Sequence, residues 1–152
     1  MSTDIATNKK ALRDYHVIEK YEAGIQLVGT EVKSIREGHI NLRDAYARVE
    51  GGQLFLYGCD IQPYARASHE QHLPKRPRRL LLHKKEIHKI FVKSDIRGNA
   101  IIALRAYFKG RRVKIEIGIG KGKAHGDKRE DIKTRVMDRE AQREMARFNK
   151  GR

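Results

Sequence analysis

The sequence predicts a mainly β protein: a small antiparallel β-barrel of the oligonucleotide-binding type, with inserted helices and a basic C-terminal tail. Three observations lead there. Two pairs of strand-like runs, 45–50 with 53–57 and 100–108 with 112–119, are joined by Gly51-Gly52 and Lys109-Gly110-Arg111. Glycine supplies the positive φ angles that a tight hairpin turn requires. Within 112–119, Val113, Ile115, Ile117 and Ile119 alternate strictly, so one face of that arm belongs to a core. Short hairpin-linked strands close most readily into a barrel, and a net charge of +15 selects the version that binds polyanions.

Taken in order, residues 1–8 are small and polar and are expected to form a flexible N-terminus. Residues 14–21 alternate loosely, and 24–30 reads as a strand between glycines. The period then changes: Val32 and Ile35 are three apart, and Gly38 follows as a helix stop. After the first hairpin, 60–79 holds all three prolines, Pro63, Pro74 and Pro77, and is expected to be an extended loop made basic by Lys75, Arg76, Arg78 and Arg79. Leu80-Leu81-Leu82 introduces a helix over 83–92 with Ile87, Ile90 and Phe91 as its buried positions. About six strands result, with no internal repeat. The expected division is 1–8, a barrel over 9–123, and a tail over 124–152.

The tail reads as one long charged helix with little apolar surface. Arg135, Arg139, Arg143 and Arg147 recur every fourth residue and so line one helical face. Like charges at that spacing cost an isolated helix about 0.2–0.5 kcal/mol each. The segment is therefore most stable along a polyanion; the plainer alternative is a solvated charged helix. Residues 121–152 hold eleven Lys and Arg against six Asp and Glu, so the body is strongly basic as well.

Several function classes are excluded or disfavoured. The single cysteine, Cys59, rules out a disulfide framework and fits a reducing cytosol. Met1-Ser2-Thr3-Asp4 lacks the regions of a signal peptide. The longest apolar run, Ala100-Ile101-Ile102-Ala103-Leu104, is too short to span a bilayer. A cytoplasmic protein without a membrane partner is expected. His69 with His72 and His83 with His88 lack companions that would complete a metal site, and no nucleophile or phosphate-loop motif is present. Asp127, Glu130 and Asp131 as Mg²⁺ ligands of a nuclease form the weaker alternative. No enzyme activity, cofactor or metal is predicted. Tyr15, Tyr21, Tyr46, Tyr57, Tyr64 and Tyr107 suit the core better than base stacking for the most part. Glu22, an acid on a basic body, either pairs with Lys or Arg or accepts hydrogen bonds from base amino groups; both readings stay open.

The strings Asn8-Lys9-Lys10-Ala11, Tyr21-Glu22-Ala23-Gly24-Ile25, Gly29-Thr30-Glu31-Val32-Lys33-Ser34-Ile35-Arg36 and Asn41-Leu42-Arg43-Asp44 together form a pattern. Leu80-Leu81-Leu82-His83-Lys84-Lys85-Glu86-Ile87, Tyr107-Phe108, Gly120-Lys121-Gly122-Lys123 and Asp127-Lys128-Arg129 continue it. In this order, from about residue 8 to the end, the chain resembles the SsrA-binding protein (SmpB) family.

The resemblance implies a non-enzymatic barrel that binds the tRNA-like end of transfer-messenger RNA. With that RNA it would enter stalled ribosomes for trans-translation, alongside an elongation factor carrying the charged RNA. It places Asn8 and Glu22 at RNA-binding positions, and Lys121 and Lys123 in the basic segment at the barrel's end. Lys9, Lys10, Lys33 and Arg36, cations within the matching blocks, are counted with them. Asp127, Lys128 and Arg129 match a tail triplet needed for accommodation on the ribosome, and Met145 an apolar position of the distal tail. The tail, with its arginine row, would meet ribosomal RNA at the decoding centre and in the empty mRNA channel. Two positions depart from the pattern. Gly126 stands where many members carry His or Tyr, with His125 one residue earlier, and Arg13 stands where an aromatic or His residue is usual, still able to contact phosphate. The alternative function is a general ribosomal or single-strand RNA-binding barrel.

Overall fold

The computed structural model describes residues 3–67 and 71–123. In order they form β1 (Thr3–Thr7), α1 (Lys9–Asp14), β2 (Tyr15–Ile25), α2 (Gly29–Arg36), β3 (Ile40–Asn41) and β4 (Tyr46–Glu50). Then follow β5 (Gln53–Tyr57), β6 (Asp60–Ile61), β7 (Arg78–Leu81), α3 (Lys84–Ser94), β8 (Asn99–Lys109) and β9 (Arg112–Gly122). Strand β8 pairs with β9 on one side and with both β1 and β4 on the other. The order β8-β4-β5-β7-β2-β9 therefore returns to β8, all antiparallel, and closes a ring. A closed ring leaves few edges exposed to other chains.

Both hairpins form where turn chemistry places them. Glu50 pairs with Gln53 across Gly51 and Gly52, whose φ angles are +58° and +77°. Lys109 pairs with Arg112 across Gly110 at +63°. Ile115, Ile117 and Ile119 point inward and are fully buried, joined by Leu54, Leu56, Leu80 and Ile35. Gly58, at φ +72°, has no room for a side chain, since a Cβ there would lie 2.4 Å from the Asp44 carbonyl oxygen.

Several expectations are corrected. Nine strands form among the described residues, not about six. Residues 3–7 make strand β1, paired with β8 from Thr3–Phe108 to Thr7–Arg105. The loose alternation of 14–21 is strand β2 interrupted by a bulge between Val17 and Glu19, since a bulge shifts the side-chain period by one. That strand ends at Ile25, and 29–36 is helical because the Glu31 carboxylate accepts the Val28 N–H at 2.9 Å and caps α2. Leu80 and Leu81 belong to β7. In α3, Ile87 and Ile90 are buried as expected, but Phe91 is 49% exposed.

Arg78 was expected on a basic loop and is instead completely buried. Its Nε donates to Glu31 Oε2 at 2.5 Å, and its other nitrogens donate to the carbonyls of Cys59 at 2.7 Å and Pro74 at 3.0 Å. Arg76 donates to the second oxygen of Glu31 at 2.6 Å. His72 bridges Thr30 Oγ1, at 2.9 Å, and the Ile61 carbonyl, at 2.8 Å. These groups, of which Glu31, Arg78 and His72 are buried, tie both ends of the proline-rich segment to α2, which explains two basic residues and one histidine without a ligand.

Candidate nucleic-acid interface

Helix α1 is six residues long and could not persist alone. Asn8 fixes it. Its Oδ1 accepts the Ala11 N–H at 3.0 Å, capping the first turn. Its Nδ2 donates to the carbonyls of Leu42 at 2.7 Å and Ala103 at 2.9 Å. With only 2% of Asn8 exposed and both its side-chain polar atoms hydrogen-bonded, it positions α1 from inside. Replacing Asn8 with Ala should cost about 1–3 kcal/mol, the range for a lost cap and two stranded carbonyls. RNA affinity should fall with it, as the helix shifts; urea unfolding and a binding titration check both.

Lys9 and Arg13 ride exposed on that helix, and Lys10 is half-buried with its Nζ 3.2 Å from Asp44 Oδ1. Arg13 Nε lies 3.7 Å from Asp14 Oδ1. The end of β9 meets the same helix: Gly122 pairs with Tyr15, Lys121 with His16, and the Lys123 N–H donates to the Asp14 carbonyl at 2.9 Å. Lys9, Lys10, Arg13, Lys121 and Lys123, scattered over 115 positions of sequence, are thus gathered around α1. Arg43 joins them. It lines a cleft with Lys9, Lys10 and Arg13, its N–H held by Asn41 Oδ1 at 2.8 Å. Charge counting alone did not single out Arg43; the Asn-x-Arg turn was the available signal. A cluster of this kind neutralises phosphates and carries no base information by itself.

Lys33 and Arg36 are exposed on α2, which follows the far end of β2. Lys33 Nζ lies 5.7 Å from the centre of the Tyr64 ring.

Glu22 stands on the outer face of β2. It accepts hydrogen bonds from Tyr107 Oη and, at 3.1 Å, from Lys109 Nζ. The Tyr107 bond and then the Lys109 bond hold its carboxyl below the usual glutamate range, so it stays an ionised acceptor at neutral pH. Burial first, and the Glu22 carboxylate second, push the Tyr107 phenol up. The Tyr107 ring is 3% exposed beneath the Arg105 guanidinium, 4.6 Å from its centre. Arg105 is itself fixed by Glu116 at 3.1 Å and Asp4 at 2.5 Å. Glu22 thus pairs with Lys109 within the fold. A carboxylate has lone pairs beyond these two bonds, so an immobile acceptor faces outward. Beside it Gly24 pairs with Leu81, an apolar side chain 48% exposed.

Cys59 is buried, and burial pushes its thiol up to about 12, which removes the nucleophilic thiolate at neutral pH. Among the described residues no helix is long and apolar enough to cross a membrane. Gly126, His125, Asp127, Lys128, Arg129, Arg135, Arg139, Arg143, Met145 and Arg147, with the alternative ligands Glu130 and Asp131, lie outside the described residues, as does His69.

Comparison with known proteins adds three findings. The sequence profile of the family described as SmpB protein matches residues 5–147. An SsrA-binding protein of Carboxydothermus hydrogenoformans is 51% identical over 145 residues, 95% of this chain and 97% of its own, and one of Persephonella marina is 54% identical over 136 residues, 90% of each. A chain in the solved structure "tmRNA-SmpB: a journey to the center of the bacterial ribosome" superimposes with a TM-score of 0.67 at 41% identity, over 86% of this chain and 92% of that one.

Proposed function

This chain belongs to the SmpB protein family, and from that premise we propose that it binds transfer-messenger RNA and carries it to stalled ribosomes for trans-translation. The observation that carries the reading is the gathering of Lys9, Lys10, Arg13, Arg43, Lys121 and Lys123 around α1, at the point where β9 hands over to residues 124–152. The barrel, residues 9–123, holds the tRNA-like end of the RNA. Its cations release counterions from the RNA backbone, and the fixed carboxylate of Glu22 accepts hydrogen bonds from base or ribose donors. Lys33 and Arg36 extend the phosphate contacts beyond α2.

Residues 124–152 serve the ribosome. Asp127, Lys128 and Arg129 act at the decoding centre. Arg135, Arg139, Arg143 and Arg147 neutralise ribosomal RNA along the mRNA channel, and Met145 contributes an apolar contact there. A row of like charges has no reason to fold until polyanion surrounds it, so helix formation is coupled to an empty channel. His125, next to Gly126, supplies the ring at that joint. The chain acts in the cytoplasm as an RNA-binding factor and not as an enzyme, and needs no cofactor or metal. An elongation factor carrying the charged RNA is an indirect partner.

Recovering RNA from a bacterial lysate on the immobilised full-length chain tests the reading. One tRNA-ended RNA of a few hundred nucleotides should dominate. Recovery of bulk ribosomal and transfer RNA in proportion to abundance would instead identify a general RNA binder.

A further inference from the structure

Strand β4 leaves its neighbour early. It pairs with β8 only through Tyr46–Ile102 and Ala47–Ile101, and beyond that point the two strands part beneath α3. The gap is an open groove of about 670 Å³ that begins beside Asp14 and Tyr15 of the α1 region and reaches Val49 and Phe91. Val49 and Phe91 also line its continuation to the Gly51-Gly52 turn.

Among the described residues, the phenylalanine and tyrosine side chains most open to solvent are Phe91, 49% exposed, and Tyr46, 43% exposed, and both line this groove. Phe91 occupies a helix position that apolar spacing assigns to the core, so its exposure has no folding explanation. Tyr46 is held flat. Its ring stacks on Tyr57 at 5.7 Å between centres and 19° between planes, and the Tyr57 hydroxyl donates to Glu50 Oε1 at 2.6 Å. Arg48 and Lys84 stand along the rim, and Lys10 and Arg43 line both this groove and the basic cleft of α1. The groove is therefore continuous with the basic cleft of α1.

We propose that this groove is a binding site for single-stranded RNA, whose unpaired bases stack on Phe91 and Tyr46 while the rim cations follow its backbone. Flat rings alternating with cations are what a strand without base-pairing partners requires, because every base has a face to stack. An aliphatic groove with an uncharged rim would have pointed to a protein helix instead. The groove meets β8 at its Asn99–Ile102 end, whereas Glu22 is bonded by Tyr107 and Lys109 at the opposite end of that strand. The site goes beyond the proposed function, which concerns the structured tRNA-like end.

Fluorescence anisotropy with the full-length chain and a labelled octa-adenylate RNA tests the site. Phe91→Ala should weaken octa-adenylate binding about tenfold, or about 1.4 kcal/mol, and Tyr46→Leu similarly. Phe91→Tyr should bind within threefold of the parent, and an unchanged urea midpoint in each variant shows that the fold is intact. The affinity of Phe91→Ala for the tRNA-like fragment of transfer-messenger RNA should stay within twofold. Unchanged octa-adenylate binding in both Phe91→Ala and Tyr46→Leu would overturn the proposal. So would a parallel loss for both RNAs, which would mean one shared face, or a loss of ribosome association with octa-adenylate binding intact, which would mean a protein occupant. Failure of the parent chain to bind the tRNA-like fragment would count against the proposed function and leave the octa-adenylate comparison decisive for the groove.

Discussion

Replacing Glu31 with Gln is expected to destabilise the fold by about 3–5 kcal/mol, the range for removing one partner of a buried ion pair. Glu31 and Arg78 are both fully buried, and the substitution changes almost nothing in size. It removes the charge that Arg78 and Arg76 share, and turns an amide donor or an uncharged oxygen toward two guanidinium groups. The Arg78 bonds to the Cys59 and Pro74 carbonyls remain, but they satisfy hydrogens without neutralising the charge. Urea unfolding should show a lower midpoint at an unchanged slope. The proline-rich segment should open first, since Arg78 is what ties it to α2. A Glu31→Gln protein as stable as the parent would show that the pair contributes nothing net.

The same pair predicts a response to acid. Burial pushes the Glu31 carboxyl up, but the hydrogen bonds from Arg76, the Val28 N–H and Arg78 outweigh it, so the folded value lies below the ordinary 4.5. A lowered folded value means that the unfolded chain takes up the proton first. The stabilisation is therefore complete above about pH 4.5 and is lost as the pH falls through the folded value. The parent should lose stability on acidification below that point more steeply than Glu31→Gln.

Ending the chain at Lys123 is expected to reduce peptide tagging on stalled ribosomes by about a hundredfold or more, equivalent to about 2.7 kcal/mol. The truncation deletes residues 124–152 and with them nine Lys and Arg, including the four-residue arginine row. The ring of strands and the cations around α1 lie wholly within what remains. Tagging in a reconstituted translation system programmed with a message lacking a stop codon checks this. Tagging at the full-length level would remove the ribosomal role from residues 124–152.

Local chemistry was legible in the sequence and distant pairing was not. The two glycine hairpins and the isoleucine face of β9 follow from turn geometry and a period of two, and both stand as read. Strand β1 could not be read, because Thr-Asp-Ile-Ala-Thr is too short and mixed a run and becomes a strand only through partners about one hundred positions away. Arg78 was misjudged for the same reason. A cation is expected at the surface unless its partner is known, and Glu31 lies 47 residues upstream. At the site, charge and family pattern led to the α1 and β9 lysines, which the fold brings together. They do not show that the Asn8 amide bonds the Leu42 and Ala103 carbonyls, because those partners are distant in the string. The place of Arg43 in the α1 cleft and the exposure of Leu81 and Phe91 depend on neighbours that local spacing does not show.

The most direct test of the central claim is a competition titration of residues 1–123 against the labelled tRNA-like fragment of transfer-messenger RNA, in excess unlabelled bulk tRNA at near-physiological salt. A barrel that recognises this RNA by itself should keep an affinity within about threefold of the full-length chain, a difference below about 0.7 kcal/mol, and should resist the competitor. Affinity lost with the deleted cations, or displacement by ordinary tRNA, would contradict it.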